Sequence, residues 1–137
     1  MKTVSQPRNR AALGLAGVLA VAGVAHFVVP DGFDAIVPRV LPGSRRFWTV
    51  VSGVAEIGVA VGVARPSTRR VSALGAAVLF VLVFPANVQM AIDWRSRPLP
   101  EFGASLLRLP LQIPLVWWAW RVRKNARPRG SAAIVVR

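Results

Sequence analysis

Glu56 is the residue of this chain whose type and surroundings most strongly suggest chemistry. It is the only charged residue in the apolar run 47–64. A run this long and apolar is typical of a membrane-spanning helix. A carboxyl group near the middle of a bilayer costs about 2.5–3.5 kcal/mol on insertion scales, so it usually faces a partner, a cavity or a substrate. We therefore regard Glu56 as a candidate for proton exchange or ligand binding.

Other polar side chains fall at a similar level in the remaining apolar runs. At about 1.5 Å per residue, all of them lie in the outer half of the bilayer, as Glu56 does. Ser52 lies one turn from Glu56 on the same helix face. The other members of the set are His26 in the first span, Asn87 and Gln89 in the third, and Arg108 and Gln112 in the fourth. This convergence predicts an outward-facing polar pocket that binds a ligand through these residues.

Five of these residues also have a purely structural interpretation. Glu56 and Arg108 differ in depth by about 6 Å, so an ion pair between them could simply hold two helices together. Arg108 could instead extend to the lipid headgroups. His26 lies near enough to the membrane surface to hydrogen-bond the loop that follows it. Asn87 and Gln112 could form hydrogen bonds between helices, each worth about 0.6 kcal/mol.

The composition predicts an all-α membrane protein. The 137 residues are 54% hydrophobic with a mean hydropathy of +0.50, and the long apolar stretches lack the polar face of a soluble helix. We predict a four-transmembrane-helix bundle, up-down-up-down, in one membrane domain over 11–124. The expected spans cover about 11–29, 47–64, 71–92 and 103–122, with outer loops at 30–46 and 93–102. The first span is expected to be retained, because it is longer than the apolar core of a signal peptide.

Prolines and glycines refine this expectation. Apolar residues within the loop 30–46 suggest that it lies at the bundle mouth or forms a short helix. Pro85 in the third span, and Pro110 and Pro114 in the fourth, each remove a backbone hydrogen bond, and helices broken in this way often line a cavity. Gly58-x-x-x-Gly62 could mark a close contact between helices.

The distribution of charge predicts the orientation. The segment 1–10, the turn 65–70 and the stretch from residue 121 onward carry twelve basic residues and no acid, whereas the opposite side carries five basic residues and four acids. The positive-inside rule therefore places both termini in the cytoplasm. The basic tail 125–137 is expected to be disordered.

The same distribution limits the classes of partner and site. Although the net charge is +13, the arginines flank the apolar runs, where anionic headgroups attract them, so we expect the lipid bilayer and not a nucleic acid as the partner. The chain contains no cysteine and one histidine. It therefore cannot form a disulfide or a thiolate-ligated centre, and we expect neither a metal site nor a covalent cofactor.

Four separated segments carry a resemblance to a known family. They are 23–30 (GVAHFVVP), 52–58 (SGVAEIG), 84–87 (FPAN) and 109–114 (LPLQIP), the last followed by a tryptophan-rich end. In this order they resemble the DoxX family of small integral membrane proteins, over 11–124. The resemblance implies a four-helix protein of the bacterial cytoplasmic membrane. Some relatives are the membrane subunit of a thiosulfate:quinone oxidoreductase, others associate with redox or detoxification enzymes, and more distant ones are chaperones or cargo receptors.

Two functions are consistent with these features, and whether the protein is an enzyme stays open. In the first it is a quinone-linked, redox-associated membrane subunit: Glu56 exchanges protons, while His26, Asn87 or Gln112 hydrogen-bonds a quinone carbonyl. The electron carrier would then be the quinone or a redox enzyme partner. In the alternative it is a non-catalytic binding or assembly protein that holds a lipid, a small apolar ligand or a client helix. Both hypotheses place it in the cell membrane as a multi-pass protein, alone, with another membrane protein or as a homo-oligomer.

Overall fold

The structure, a computed structural model, describes residues 6–126. The expected disorder of the tail concerns residues that lie mainly outside this range, as do residues 1–5 of the basic amino-terminal segment. The described chain is all-helical, which confirms the predicted class. Its helices are α1 (Gln6–Val28), α2 (Pro30–Ile36), α3 (Arg45–Ala64), α4 (Arg69–Leu82), α5 (Phe84–Asp93) and α6 (Leu99–Asn125).

Three stretches of helix are long and apolar enough to cross a membrane. They are Arg8–Val28, Arg45–Ala64 and Arg69–Asp93, the last formed by α4 and α5 together. They correspond to the first three predicted spans. The sixth helix is the longest, with 27 residues, but it contains Arg108, Gln112 and two internal prolines and is less apolar than the other three.

The core is built from small side chains on four helices. Alanines dominate it, and side chains this small let helix backbones approach closely in a membrane protein. The buried apolar cluster comprises Ala12, Leu15, Ala16, Leu19, Ala60, Val63, Ala73, Ala76, Ala77, Phe80, Ala119 and Val122. Larger apolar side chains such as Val21, Leu107 and Ile113 point outward instead, with exposures of 73%, 63% and 74%. This inverted arrangement suits a protein whose surroundings are lipid.

The third predicted span is interrupted where the sequence places a proline. The fourth helix ends at Leu82 and the fifth begins at Phe84, because Pro85 has no N–H to continue the helical hydrogen bonds. Gln112 Nε2 donates to the carbonyl oxygen of Phe80 at 2.6 Å, just before this interruption. The sixth helix, by contrast, continues through Pro110 and Pro114, so the backbone hydrogen bonds that these prolines cannot donate do not end it.

The helix ends meet at what we call the basal end, formed by the start of α1, the turn 65–68 and the end of α6. The Arg69 guanidinium donates to the carbonyl oxygens of Val63 and Ala64, at 2.9 and 3.0 Å, and to Asn9 Oδ1 at 2.9 Å. Trp118 Nε1 donates to the Ala11 carbonyl oxygen at 3.1 Å. These bonds tie α1 both to the α3–α4 turn and to α6.

Candidate functional site

Two glycines determine how α1 and α3 meet. A Cβ added at Gly53 would lie 2.8 Å from the Cβ of His26, and one at Gly23 would lie 3.0 Å from the Gly53 carbonyl oxygen. Only glycine permits such a close approach between two helix backbones. At Gly58 an added Cβ would meet nothing within 4 Å. The predicted Gly58-x-x-x-Gly62 pair therefore makes no close contact through Gly58. A Cβ at Gly62 would lie 2.8 Å from the Cβ of Ser72, so Gly62 does mark a close contact between α3 and α4.

His26 and Glu56 each lie three residues after one of these glycines and face each other across the contact. Nδ1 of His26 is 3.5 Å from Oε2 of Glu56, and their side chains are 9% and 12% exposed. The same nitrogen lies 2.8 Å from the Ala22 carbonyl oxygen, so in the neutral ring the proton on Nδ1 is directed to that carbonyl. Oε2 of Glu56 is buried and has no hydrogen-bond partner among the described residues.

The second helix covers the His26 ring of this pair, and we call it the lid helix. The ring of Phe33 stacks on the ring of His26, with centroids 3.8 Å apart and planes 24° apart. This confirms a short helix in the predicted loop 30–46. The loop contacts His26 through an aromatic stack, and not through the hydrogen bond that the sequence suggested.

Polar contacts fasten the lid helix to the start of α3. Arg46 Nε donates to Asp34 Oδ2 at 2.8 Å, and its Nη2 donates to Asp31 Oδ1 at 2.6 Å. The hydroxyl of Thr49, which is 2% exposed, donates to the other oxygen of Asp34. The sequence analysis missed these residues. The available signal was the i, i+3 spacing of two acids just after a helix-ending proline, with an arginine at the start of the next apolar run.

The other predicted site residues are distributed more widely. Ser52 is half-buried on α3 and Asn87 is buried on α5. Gln89 donates to Asp93 Oδ1 at 2.9 Å. Arg108 is exposed on α6 and makes no ion pair with Glu56 in the described chain. Gln112 forms the interhelical bond to Phe80, as its structural interpretation predicted. The structure thus brings together His26 and Glu56, and their role in ligand binding stays a prediction.

Two cavities lie elsewhere on the surface of the bundle. The lateral groove, of about 760 Å³, runs between α4–α5 and α6 and is lined by Phe80, Val81, Phe84, Leu109, Gln112, Ile113, Val116, Trp117 and Trp120. The basal cavity, of about 570 Å³, lies at the basal end and is lined by Arg8, Ala11, Pro114, Trp117, Trp118, Arg121, Val122 and Asn125. Neither is lined by Glu56 or His26.

Comparison with known proteins gives one match. A family model described as Domain of unknown function (DUF8561) matches residues 15–123, a range that includes the two glycines, the lid helix and the His26–Glu56 pair. No curated protein and no solved structure matches the chain. The resemblance to the DoxX family stays a prediction.

Proposed function

Since this chain belongs to the family described as Domain of unknown function (DUF8561), we propose its function from the geometry of the His26–Glu56 pair. It is a multi-pass protein of the cell membrane in which this pair binds the polar head of a quinol or quinone, as the quinone-linked subunit of a redox-associated complex. One observation carries the proposal: Oε2 of Glu56 is buried with no hydrogen-bond donor among residues 6–126.

The proposal includes four spans, with α6 as the fourth. A helix of 27 residues is about 40 Å long, which exceeds the roughly 30 Å of a bilayer's hydrocarbon core. The sixth helix also packs against α1, α4 and α5, which supports a position inside the membrane. An up-down-up-down order then places both termini with the twelve basic residues on the cytoplasmic side, and the His26–Glu56 pair in the outer half.

The donor and acceptor pattern of the pair favours a ligand that donates hydrogen bonds. When Nδ1 of neutral His26 donates to Ala22, its Nε2 is an acceptor, and an ionised Glu56 carboxylate is an acceptor only. A quinol hydroxyl would supply the missing donor. Oxidation of the quinol to the quinone releases two protons and two electrons: Glu56 would take one proton and Nε2 of His26 the other, while both electrons pass to a redox protein partner. Reduction of the quinone would reverse these transfers.

Access to the pair depends on the lid helix. Phe33 covers one face of the His26 ring. The hydrogen bonds that Asp34 accepts from Arg46 and Thr49 hold the lid helix in that position. The head group would therefore enter when the lid helix shifts, and the aromatic ring of a quinol could stack on His26 in place of Phe33. The isoprenoid tail would stay in the surrounding lipid.

Quinol binding to the protein in nanodiscs tests the proposal. A short-chain quinol is titrated anaerobically against the parent and against Glu56→Gln, which keeps the shape of the side chain and removes its charge. We expect at least about tenfold weaker binding, since a hydrogen bond to a charged group contributes about 1.5–3 kcal/mol. The matched control is Glu101→Gln, because this acid pairs with Arg97 outside the site. Unchanged affinity in Glu56→Gln, or an equal loss in both variants, would overturn the proposal.

The lateral groove favours a second candidate, a non-catalytic protein that holds a lipid or small apolar molecule. Its lining is almost entirely apolar, and its one amide, Gln112, is already bonded to Phe80. Ile113→Trp would narrow the groove without touching the His26–Glu56 pair. Two results together would support the second function over the first. The parent would bind no quinol, and Ile113→Trp would lose an apolar molecule that co-purifies with the parent.

A further inference from the structure

The basal cavity has an uneven distribution of charge. Arg8 and Arg121 line it together with apolar side chains from α1 and α6. The chain has only five acidic side chains, at positions 31, 34, 56, 93 and 101, and their contacts lie on the lid helix, at the His26–Glu56 pair or beside the loop before α6. No acidic side chain of this protein is therefore placed to neutralise the two arginines, so their counter-charge must come from outside.

Neighbouring contacts hold the walls of this cavity in place. The indole of Trp118 donates to the Ala11 carbonyl at 3.1 Å, and a Cβ added at Gly14 would lie 3.0 Å from its ring. The guanidinium of Arg121 lies 4.7 Å from the centroid of the Trp117 ring. Arg8 donates to the Asn125 carbonyl. Both guanidinium groups are thus positioned at the rim by contacts that leave their remaining N–H groups available.

Most of the remaining lining is apolar. It includes Ala11 on α1 and Pro114 on α6, which lies seven residues, or about 10 Å, before Arg121 along the helix. Two guanidinium groups beside an apolar slot match a molecule that has an anionic head and a hydrocarbon chain. The volume of about 570 Å³ is within the usual range of small-molecule sites.

We propose that the basal cavity binds one anionic phospholipid, whose phosphate lies between Arg8 and Arg121 and whose acyl chain packs along Pro114 and Trp117. Guanidinium groups suit this head because their planar set of donors matches phosphate oxygens. The bound lipid would supply the missing negative charge where α1 and α6 meet. This site is separate from the His26–Glu56 pair and does not depend on the function proposed for that pair.

Native mass spectrometry of the detergent-purified full chain tests this assignment. Phosphatidylglycerol, phosphatidylcholine and soluble glycerol phosphate are titrated separately, and the dissociation constant of the first bound molecule is compared. We expect phosphatidylglycerol to bind the parent most tightly. The double variant Arg8→Gln/Arg121→Gln should weaken it about 30-fold, since each interfacial arginine contributes about fivefold. The matched control, Arg45→Gln/Arg95→Gln, removes the same charge from exposed positions far from the basal end and should bind as the parent does.

Further variants and ligands keep the test decisive. If the double variant loses helix content, Arg121→Gln alone replaces it, because the stack of Arg121 on Trp117 lies within α6 and joins no other helix. A loss of about fivefold is then expected. Equal binding by parent and variant, or an equal loss in the control, would overturn the proposal. Tight saturation by glycerol phosphate would also overturn it, because the site would then take a soluble phosphate and not a lipid.

Discussion

Gly53 lies directly against His26, so closely that a Cβ at position 53 would be 2.8 Å from the Cβ of that residue. The same Cβ would also be 2.8 Å from Cε2 of Phe27. The Phe27 ring can rotate away, but the Cβ of His26 and the Gly23 carbonyl oxygen, 3.1 Å from the added Cβ, cannot move without shifting α1. The close contact between α1 and α3, and with it the position of His26 beside Glu56, therefore depends on the absence of a side chain at this position.

Gly53→Ala should destabilise the protein and separate the pair. Overpacking of this kind costs about 1–3 kcal/mol, and the loss should appear as a lower midpoint of thermal unfolding in detergent. The matched control is Gly58→Ala on the same helix, where an added Cβ meets nothing within 4 Å. There we expect no loss, and a gain of up to about 1 kcal/mol from the better helix former. Equal effects at both positions would show that the close contact does not exist.

Thr49→Val should loosen the lid helix without unfolding the bundle. The substitution keeps the buried volume and removes the hydroxyl that donates to Asp34, so the lid helix loses one of its attachments to α3. Hydrogen exchange of the amides at 31–36 should become several-fold faster, while exchange in α4 stays unchanged. The control is Val50→Thr, the opposite exchange of residue types at the neighbouring exposed position. It leaves the bond from Thr49 to Asp34 intact, so exchange at 31–36 should stay as in the parent. Exchange that is identical in Thr49→Val and the parent would mean that this bond does not hold the lid helix.

Gln112→Leu should weaken the packing of α6 on α4. It removes the donor to the Phe80 carbonyl, which lies just before the interruption at Val83 and would be left without that bond. Interhelical hydrogen bonds in membranes are worth about 0.6 kcal/mol and at most about 1.7, so the decrease in unfolding free energy should fall in this range. Gln89→Leu, which removes a bond to Asp93 on the same helix, should have a smaller effect. A larger loss in Gln89→Leu than in Gln112→Leu would contradict the role of Gln112 as the donor that joins α6 to α4.

The proposed orientation can be tested with single cysteines, since the chain contains none. Ser67→Cys lies in the basal turn and Ser96→Cys in the loop before α6, and both positions are exposed. With cytoplasmic termini, an impermeant maleimide added to intact cells should label the cysteine at 96 and leave the one at 67 unlabelled until the membrane is opened. Labelling of position 67 in intact cells would reverse the orientation.

Composition and periodicity could predict most of the fold. The apolar runs identified three spans of α1, α3 and α4–α5 because lipid demands long apolar helices whatever the packing. Pro85 predicted the interruption near Val83, since a missing N–H has a local effect. Pro110 and Pro114 do not interrupt α6 as Pro85 interrupts the third span, because a long helix held by its neighbours can tolerate the loss of single hydrogen bonds.

The site was less predictable, because depth along a helix says nothing about the direction in which a side chain points. Depth alone placed Arg108 within reach of Glu56, whereas the structure places His26 beside it and Arg108 at the surface. What was missing was the rotation of each helix about its own axis. Two matching segments, 23–26 (GVAH) and 53–56 (GVAE), contain this information. In each, a glycine that permits close approach precedes a polar residue by about one helical turn.

The contact between Trp118 and Ala11 joins residues that are 107 positions apart, which has a consequence for how the protein is made. On the proposed membrane topology, the first helix enters the bilayer before the ribosome has produced the last one. At a translation rate of about 5–20 residues per second, the surface around Ala11 and Gly14 stays uncovered for about 5–20 s before Trp118 is synthesised. Insertion machinery or lipid must shield it during that interval. A nascent chain that stalls before the last helix would expose this surface permanently, and membrane quality-control proteases could recognise it as unfinished.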